Sequence, residues 1–277
     1  MSARGRFPRD EGVEELLGVF GAAPPVFQAL VMTIGTWFVT ALGAACVFFC
    51  SDLSAGLLDL LTGFGAGVMV ASSFWSLLLP ALESELRGAT AVVCLGFAAG
   101  GAFILAADRM FDLLGFEHRF GAQTASRRRS LLLILAVTIH NIPEGMAVGV
   151  AAGSAALGLH GATMSGALAL AVGIALQNFP EGASVSLPLR REGMALGRCF
   201  WYGQLSGIPE PVAGVLGALL VTRVGAALPF LLSFAAGTMI AVVSGEMLPD
   251  AAASSKRLTV VGVTFGFLVM MVLDTLF

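Results

Sequence analysis

Two related motifs, His140-Asn141-Ile142-Pro143-Glu144-Gly145 and Gln177-Asn178-Phe179-Pro180-Glu181-Gly182, lie in stretches apolar enough to sit inside a membrane. In each copy the first residue and the glutamate are four apart, so His140 with Glu144, and Gln177 with Glu181, share one face of a helix. The proline between them removes a backbone donor and presses on the carbonyl four residues earlier, Ile139 or Leu176, which predicts a bent helix opening at each set. A third carboxylate, Glu210, is held between Pro209 and Pro211 in "GIPEPVAG", near the middle of another apolar run. A charge at the bilayer centre costs at least about 2.5–3.5 kcal/mol, so three unpaired glutamates would be about 7–10 kcal/mol adverse. No lysine or arginine lies at that depth, which leaves protons or metal cations to neutralise them. His140, Glu144, Glu181 and Glu210, with Gln177, Asn141 and Asn178 nearby, form a mixed nitrogen and oxygen shell. Such a shell suits zinc or a neighbouring first-row divalent cation better than magnesium or calcium. A lone intramembrane glutamine or asparagine is ordinarily interhelical glue; the combined set is not explained that way.

The elements that must position these residues follow from composition. The chain has 277 residues, 57% hydrophobic and 12% charged, with a mean hydropathy of +0.90. That excludes a water-soluble globule and predicts an all-α polytopic membrane protein. Windows of about 20 apolar residues give eight expected spans, near 26–50, 54–80, 89–113, 130–154, 162–188, 197–221, 227–250 and 258–277. Residues 1–25 read as a leader outside the membrane, and 26–277 as one transmembrane domain. The first apolar run is too long for a cleaved signal. Ten of the fifteen lysines and arginines flank the loops after odd-numbered spans, which predicts those loops cytoplasmic and both termini outside. The positive residues form no aromatic-interleaved patch, so nucleic acid is not an expected partner. Cys46, Cys50, Cys94 and Cys199 lack metal-site or disulfide spacing and read as small buried hydrophobes. Glycine is abundant, with "GFGAG" from Gly63 and "GFAAGG" from Gly96 suited to close helix contact in lipid.

Met69, Ser76 and Glu83 recur every seven residues, so they lie on roughly one face of span two. They outline an access route, with Glu83 outermost and Asp274, near the outer end of span eight, helping to attract cations. Glu246 and Asp250, four apart near the inner end of span seven, are candidates to receive them.

On "HNIPEG", "QNFPEGASVSLPL" and "YGQLSGIPEPVAG", the chain resembles the ZIP (Zrt/Irt-like protein) family of divalent metal transporters, in particular its GufA-like bacterial branch. The resemblance implies a 3+2+3 bundle of eight spans with bent metal-binding helices four and five. It implies a metal site formed by His140, Glu144, Gln177 and Glu181 with Met69 adjacent. A second site would use Asn141, Asn178 and Glu210, with Glu144 and Glu181 bridging. Relatives with a well-developed second site often carry aspartate where this chain has Asn178, so that site should be weaker here. The loop between spans three and four holds only His118, unlike the histidine-rich loops of many relatives; its arginine run suits topology and anionic lipid instead. The resemblance also implies a homodimer in the inner (plasma) membrane, moving metal inward as spans one, four, five and six slide against the other four. Zinc is the first expectation for cargo, with cadmium, iron and manganese as alternatives, and no organic cofactor. No phosphate-binding G-x-x-x-x-G-K-[ST] occurs, so ATP drive is not expected; incoming metal is expected to displace protons. A passive metal-selective channel is the alternative. An intramembrane metalloenzyme lacks H-E-x-x-H, so enzymatic activity is not expected.

Overall fold

The computed structural model describes residues 20–50, 54–84, 88–114, 125–159, 162–191, 193–223, 227–252 and 255–276. Most of the expected leader and the loop carrying His118 lie outside them. Among the described residues the structure is helical throughout, with no strand. The elements are α1 (Pro25–Ala45), α2 (Ala55–Leu82), α3 (Ala89–Leu114), α4 (Ala125–Ala156), α5 (Met164–Arg191), α6 (Leu196–Arg223), α7 (Leu228–Met247, continuing as Leu248–Ala251) and α8 (Lys256–Leu276). Six of them, α1, α2, α3, α6, α7 and α8, contain stretches long and apolar enough to cross a membrane. The protein is therefore a multi-pass membrane protein. The motif helices α4 and α5 fall outside that six, yet at 32 and 28 residues both exceed the hydrocarbon thickness.

The first helix starts where Pro25 supplies a preset φ at the first helical position. Its buried Gln28 donates through Nε2 to the carbonyls of Phe20, Gly21 and Ala23 at 2.8–3.0 Å. The last residues of the expected leader are thereby tied to α1.

The motif prolines leave their helices continuous. Helix α4 runs without interruption through Pro143, and α5 through Pro180 and Pro188. The interruption falls in α6, where Leu196–Leu205 stops and Pro209–Arg223 begins. One tryptophan and one asparagine meet carbonyls there: Trp37 Nε1 donates to Gln204 O at 2.9 Å, and Asn141 Nδ2 to Ser206 O at 3.1 Å. Gly207 allows the approach, since a Cβ on it would stand 2.9 Å from the Trp37 ring. A Pro inside α4 or α5 forfeits one hydrogen bond, which neighbouring helices can tolerate; the Ser206-Gly207-Ile208 break has partners built for it.

A second repeat emerges on α2 and α7. "FGAGVMVA" (64–71) and "FAAGTMIA" (234–241) each precede a π-helical segment, Ser73–Leu78 and Val243–Met247, and each π segment leads into Leu-Pro. Such bulges concentrate at functional positions in helices.

The helices sort into two groups. Helices α1, α4, α5 and α6 pack on one another, while α2 pairs with α8 and α3 with α7. The groups meet where α2 and α8 lie against α5, and α7 against α4. Small residues line the seams. A Cβ on Gly145 or Gly149 would collide with the α6 backbone at Glu210 or Gly214, and one on Gly182 with α1 at Thr40. Gly67 likewise meets α8 at Val263, and Gly100 meets α7 at Phe234. Gly63, Gly67, Gly96 and Gly100 thus serve contacts inside the chain, while Gly101 faces open space.

Candidate metal centre

Helices α4, α5, α6 and α1 converge on a buried polar cluster. Asn141 and Glu144 come from α4, Gln177 and Asn178 from α5, and Glu210 from the first turn of the second half of α6; all five are fully buried. Glu181 is half-buried one turn beyond Gln177, with its Oε2 fully enclosed. Glu210 stands at the positive end of its half-helix, where backbone N–H groups favour an anion. The convergence depends on the glycine seams: Gly145, next to Glu144, lets α4 touch the Glu210 backbone itself.

The hydrogen bonding is unequal. Gln177 Nε2 donates to Glu144 Oε1. Asn178 Nδ2 donates to Glu210 Oε1 at 2.8 Å and Oε2 at 2.9 Å, and to Thr36 O at 3.2 Å. Thr40 Oγ1 adds a longer contact to Glu210 Oε1 at 3.4 Å. Asn141 Nδ2 donates to Val137 O at 2.8 Å as well as to Ser206 O. The amide nitrogens are therefore occupied, and what remains is a set of buried oxygens with no protein partner: Asn141 Oδ1, Glu144 Oε2, Gln177 Oε1, Asn178 Oδ1 and Glu181 Oε2. Leaving one buried acceptor unmade costs about 1–3 kcal/mol, so the cluster holds five costly, open acceptors.

His140 lies in α4, but its side chain is outside the described residues. Among the described residues no three of histidine, cysteine, aspartate and glutamate are placed to hold a metal ion; amide oxygens make up much of the cluster. Met69 is fully buried on α2. Gly65, one turn before it, abuts Gln177, with a built Cβ 3.5 Å from Gln177 Cβ.

The expected access residues come together at one end. Ser76, Glu83 and Asp274 line a cavity of about 320 Å³ with Trp75, Ser154 and Thr163 among its other walls. Ser76 Oγ donates to Asp274 Oδ1 at 2.7 Å, and Asp274 Oδ2 is buried without a partner. At the other end Glu246 lies in the π segment of α7, while the side chain of Asp250 is outside the described residues. The cysteines at 46, 50, 94 and 199 are free, and only Cys199 is fully buried; Cys94 is exposed on its helix, against the expectation of burial.

Two contributions escaped the sequence reading. Thr36 and Thr40 form the wall of the cluster on α1, and their signal was present as threonines at 33, 36 and 40 on one face of an apolar helix. The repeat of α2 in α7 was also legible, in the shared Gly-x-Met spacing.

Comparison with known proteins finds relatives along most of the chain. Residues 117–274, which contain both motifs and Glu210, match the family model of the ZIP zinc transporter. The Zinc transporter ZIP11 of Xenopus tropicalis is 38% identical, over 90% of this chain and 97% of the relative. The Zinc transporter GufA of Myxococcus xanthus is 35% identical, over 88% and 97%, and the Zinc transporter ZIPB of Bordetella bronchiseptica 36%, over 85% and 77%. With its paired Pro-Glu-Gly helices joined at one oxygen-rich cluster, the chain belongs to the ZIP zinc transporter family.

Proposed function

We propose that this protein carries divalent transition-metal ions, zinc first, across the plasma membrane into the cytoplasm, binding them between α4 and α5. The observation that carries this is the group of five buried, unpartnered oxygens on Asn141, Glu144, Gln177, Asn178 and Glu181. His140 supplies the nitrogen ligand, and Met69 borders the site from α2. In this reading all eight long helices cross the bilayer, both termini lie outside, and the protein acts as a homodimer. Loss of the N–H at Pro143 and Pro180 loosens α4 and α5 beside their ligands.

Cations enter the cavity at Ser76, Glu83 and Asp274 and leave past Glu246 and Asp250. A carrier is favoured over a channel by what lies below that cavity. Its walls reach Leu170 on α5 and Ala151 on α4, each seven residues from a ligand helix position, Gln177 and Glu144. Seven residues span about 10 Å of helix. Ile174, Val148, Ala147 and Val68, all fully buried, fill that interval. Passage then requires α1, α4, α5 and α6 to move as one body against the other helices, carrying the metal past this apolar layer. Incoming metal displaces protons from the carboxylates.

Zinc uptake into proteoliposomes tests the function: saturable uptake that is lost in Glu144→Ala and Glu181→Ala is expected, and intact uptake in both variants refutes it. Cross-linking tests the movement. A Cβ on Gly173 would stand 3.6 Å from Val68 Cγ1 across the α5–α2 boundary but would collide with Met270 Sδ, so in a Met270→Ala background oxidising Val68→Cys with Gly173→Cys should stop uptake and a thiol reductant should restore it.

A further inference from the structure

Of the three glutamates in the cluster, only Glu210 has both oxygens met by protein donors. Asn178 gives its amide nitrogen to both of them, at 2.8 and 2.9 Å, and Thr40 adds its hydroxyl at 3.4 Å. The orientation of the asparagine follows from its partners: the Thr36 carbonyl, 3.2 Å from the same nitrogen, can only accept, so the NH2 end faces Thr36 and Glu210 and Oδ1 faces away. That Oδ1 is one of the five unpartnered oxygens, whereas neither oxygen of Glu210 is. The fold thus divides the polar cluster into an unsatisfied part, on Asn141, Glu144, Gln177, Asn178 and Glu181, and a sealed part at Glu210.

We propose that Asn178 takes the place of a second metal ion: its amide nitrogen holds Glu210 out of coordination, so that the protein binds and carries one divalent cation at a time. The inference rests on the transport reading above and deepens it by setting the metal count. Charge balance points the same way. One dication offsets two of the three carboxylates, and the third, Glu210, is compensated where it stands by the amide, the Thr40 hydroxyl and the N-terminus of its half-helix. An aspartate at position 178 would have no donor to offer, would face Glu210 as a like charge, and would raise the cluster to four carboxylates. Two dications balance four carboxylates, so a single atom change from amide to acid should convert the site from one metal to two.

The test is zinc stoichiometry by equilibrium dialysis and elemental analysis of the full-length protein in detergent, using zinc alone as the probe. One zinc per chain is expected for the wild type, still one for Glu210→Gln, and two for Asn178→Asp. Two zincs in the wild type, or a fall below one in Glu210→Gln, overturns the inference while leaving transport intact. A folded Asn178→Asp protein that still binds one also overturns it; the wild-type and Glu210→Gln counts decide the matter should that variant not fold. A wild type that binds no zinc defeats the transport reading itself.

Discussion

The two helix groups solve the burial of polar atoms in opposite ways. In α2, α3, α7 and α8 the buried hydroxyls are spent on backbone: Ser72 and Ser73 donate to Met69 O, Ser233 to Pro229 O, Thr238 to Ala235 O and Thr259 to Ala251 O. Aromatic pairs such as Trp75–Phe267 and Phe103–Phe234 fill the space between these helices. In α1, α4, α5 and α6 the amide nitrogens of the cluster find partners, but five of its oxygens are left without one. The first group keeps an open acceptor at Asp274 Oδ2 beside the cavity, whereas the second gathers five in one cluster. A cation held by atoms of a single group can travel with it, since few ligands need be exchanged on the way.

The sharpest way to break this contrast is to remove an acceptor from the second group. Glu144→Ala should lower zinc affinity more than about 100-fold, beyond the 10–100-fold typical of losing a residue that merely supports a ligand; a zinc titration measures it. The equivalent loss in the first group, Thr238→Val, should leave affinity within about twofold, since its hydroxyl serves only Ala235 O and one such bond is worth about 1 kcal/mol to stability rather than to binding.

Packing should be just as demanding in both groups. Gly100→Leu drives a side chain into the α7 backbone and should cost about 1–3 kcal/mol or more, whereas Gly101→Leu, with open space around it, should stay within about 0.5 kcal/mol. Thermal unfolding in detergent separates the two. A smaller effect is expected at the boundary between the groups. Asp274→Asn removes the charge at the cavity and should raise KM for zinc at most about tenfold, with the maximal rate little changed. The smallest is Thr40→Val: its 3.4 Å contact to Glu210 is long, and about 0.5–1 kcal/mol of stability is expected to go with it, with zinc affinity unaltered.

How much of this was legible beforehand varies residue by residue. Pro-Glu-Gly beside His140 and Gln177 named its own chemistry, because a carboxylate in an apolar run has few reasons to be there. The threonines of α1 gave a weaker signal, since a hydroxyl in a membrane helix ordinarily bonds its own backbone, as Thr33 does with Ala29 O. The helix break itself went unread. Pro143 and Pro180 predicted bends, and α4 and α5 stay helical through both, whereas Ser206-Gly207-Ile208 is held apart by Trp37 and Asn141 from other helices. The role of the span-two and span-three glycines was also invisible locally: a small residue permits close approach without saying whether the neighbour is in the same chain.

From composition and spacing alone came the membrane class, the candidate ligands and their pairing on helix faces, because hydropathy, charge cost and helical periodicity are properties of neighbours in the chain. Only the tertiary structure decided which polar atoms remain without partners, that Asn178 turns its amide toward Glu210, and that α6 carries the break. Those outcomes depend on distances between atoms far apart in sequence, and hydrogen bonds, being short and directional, are settled only once the helices have met.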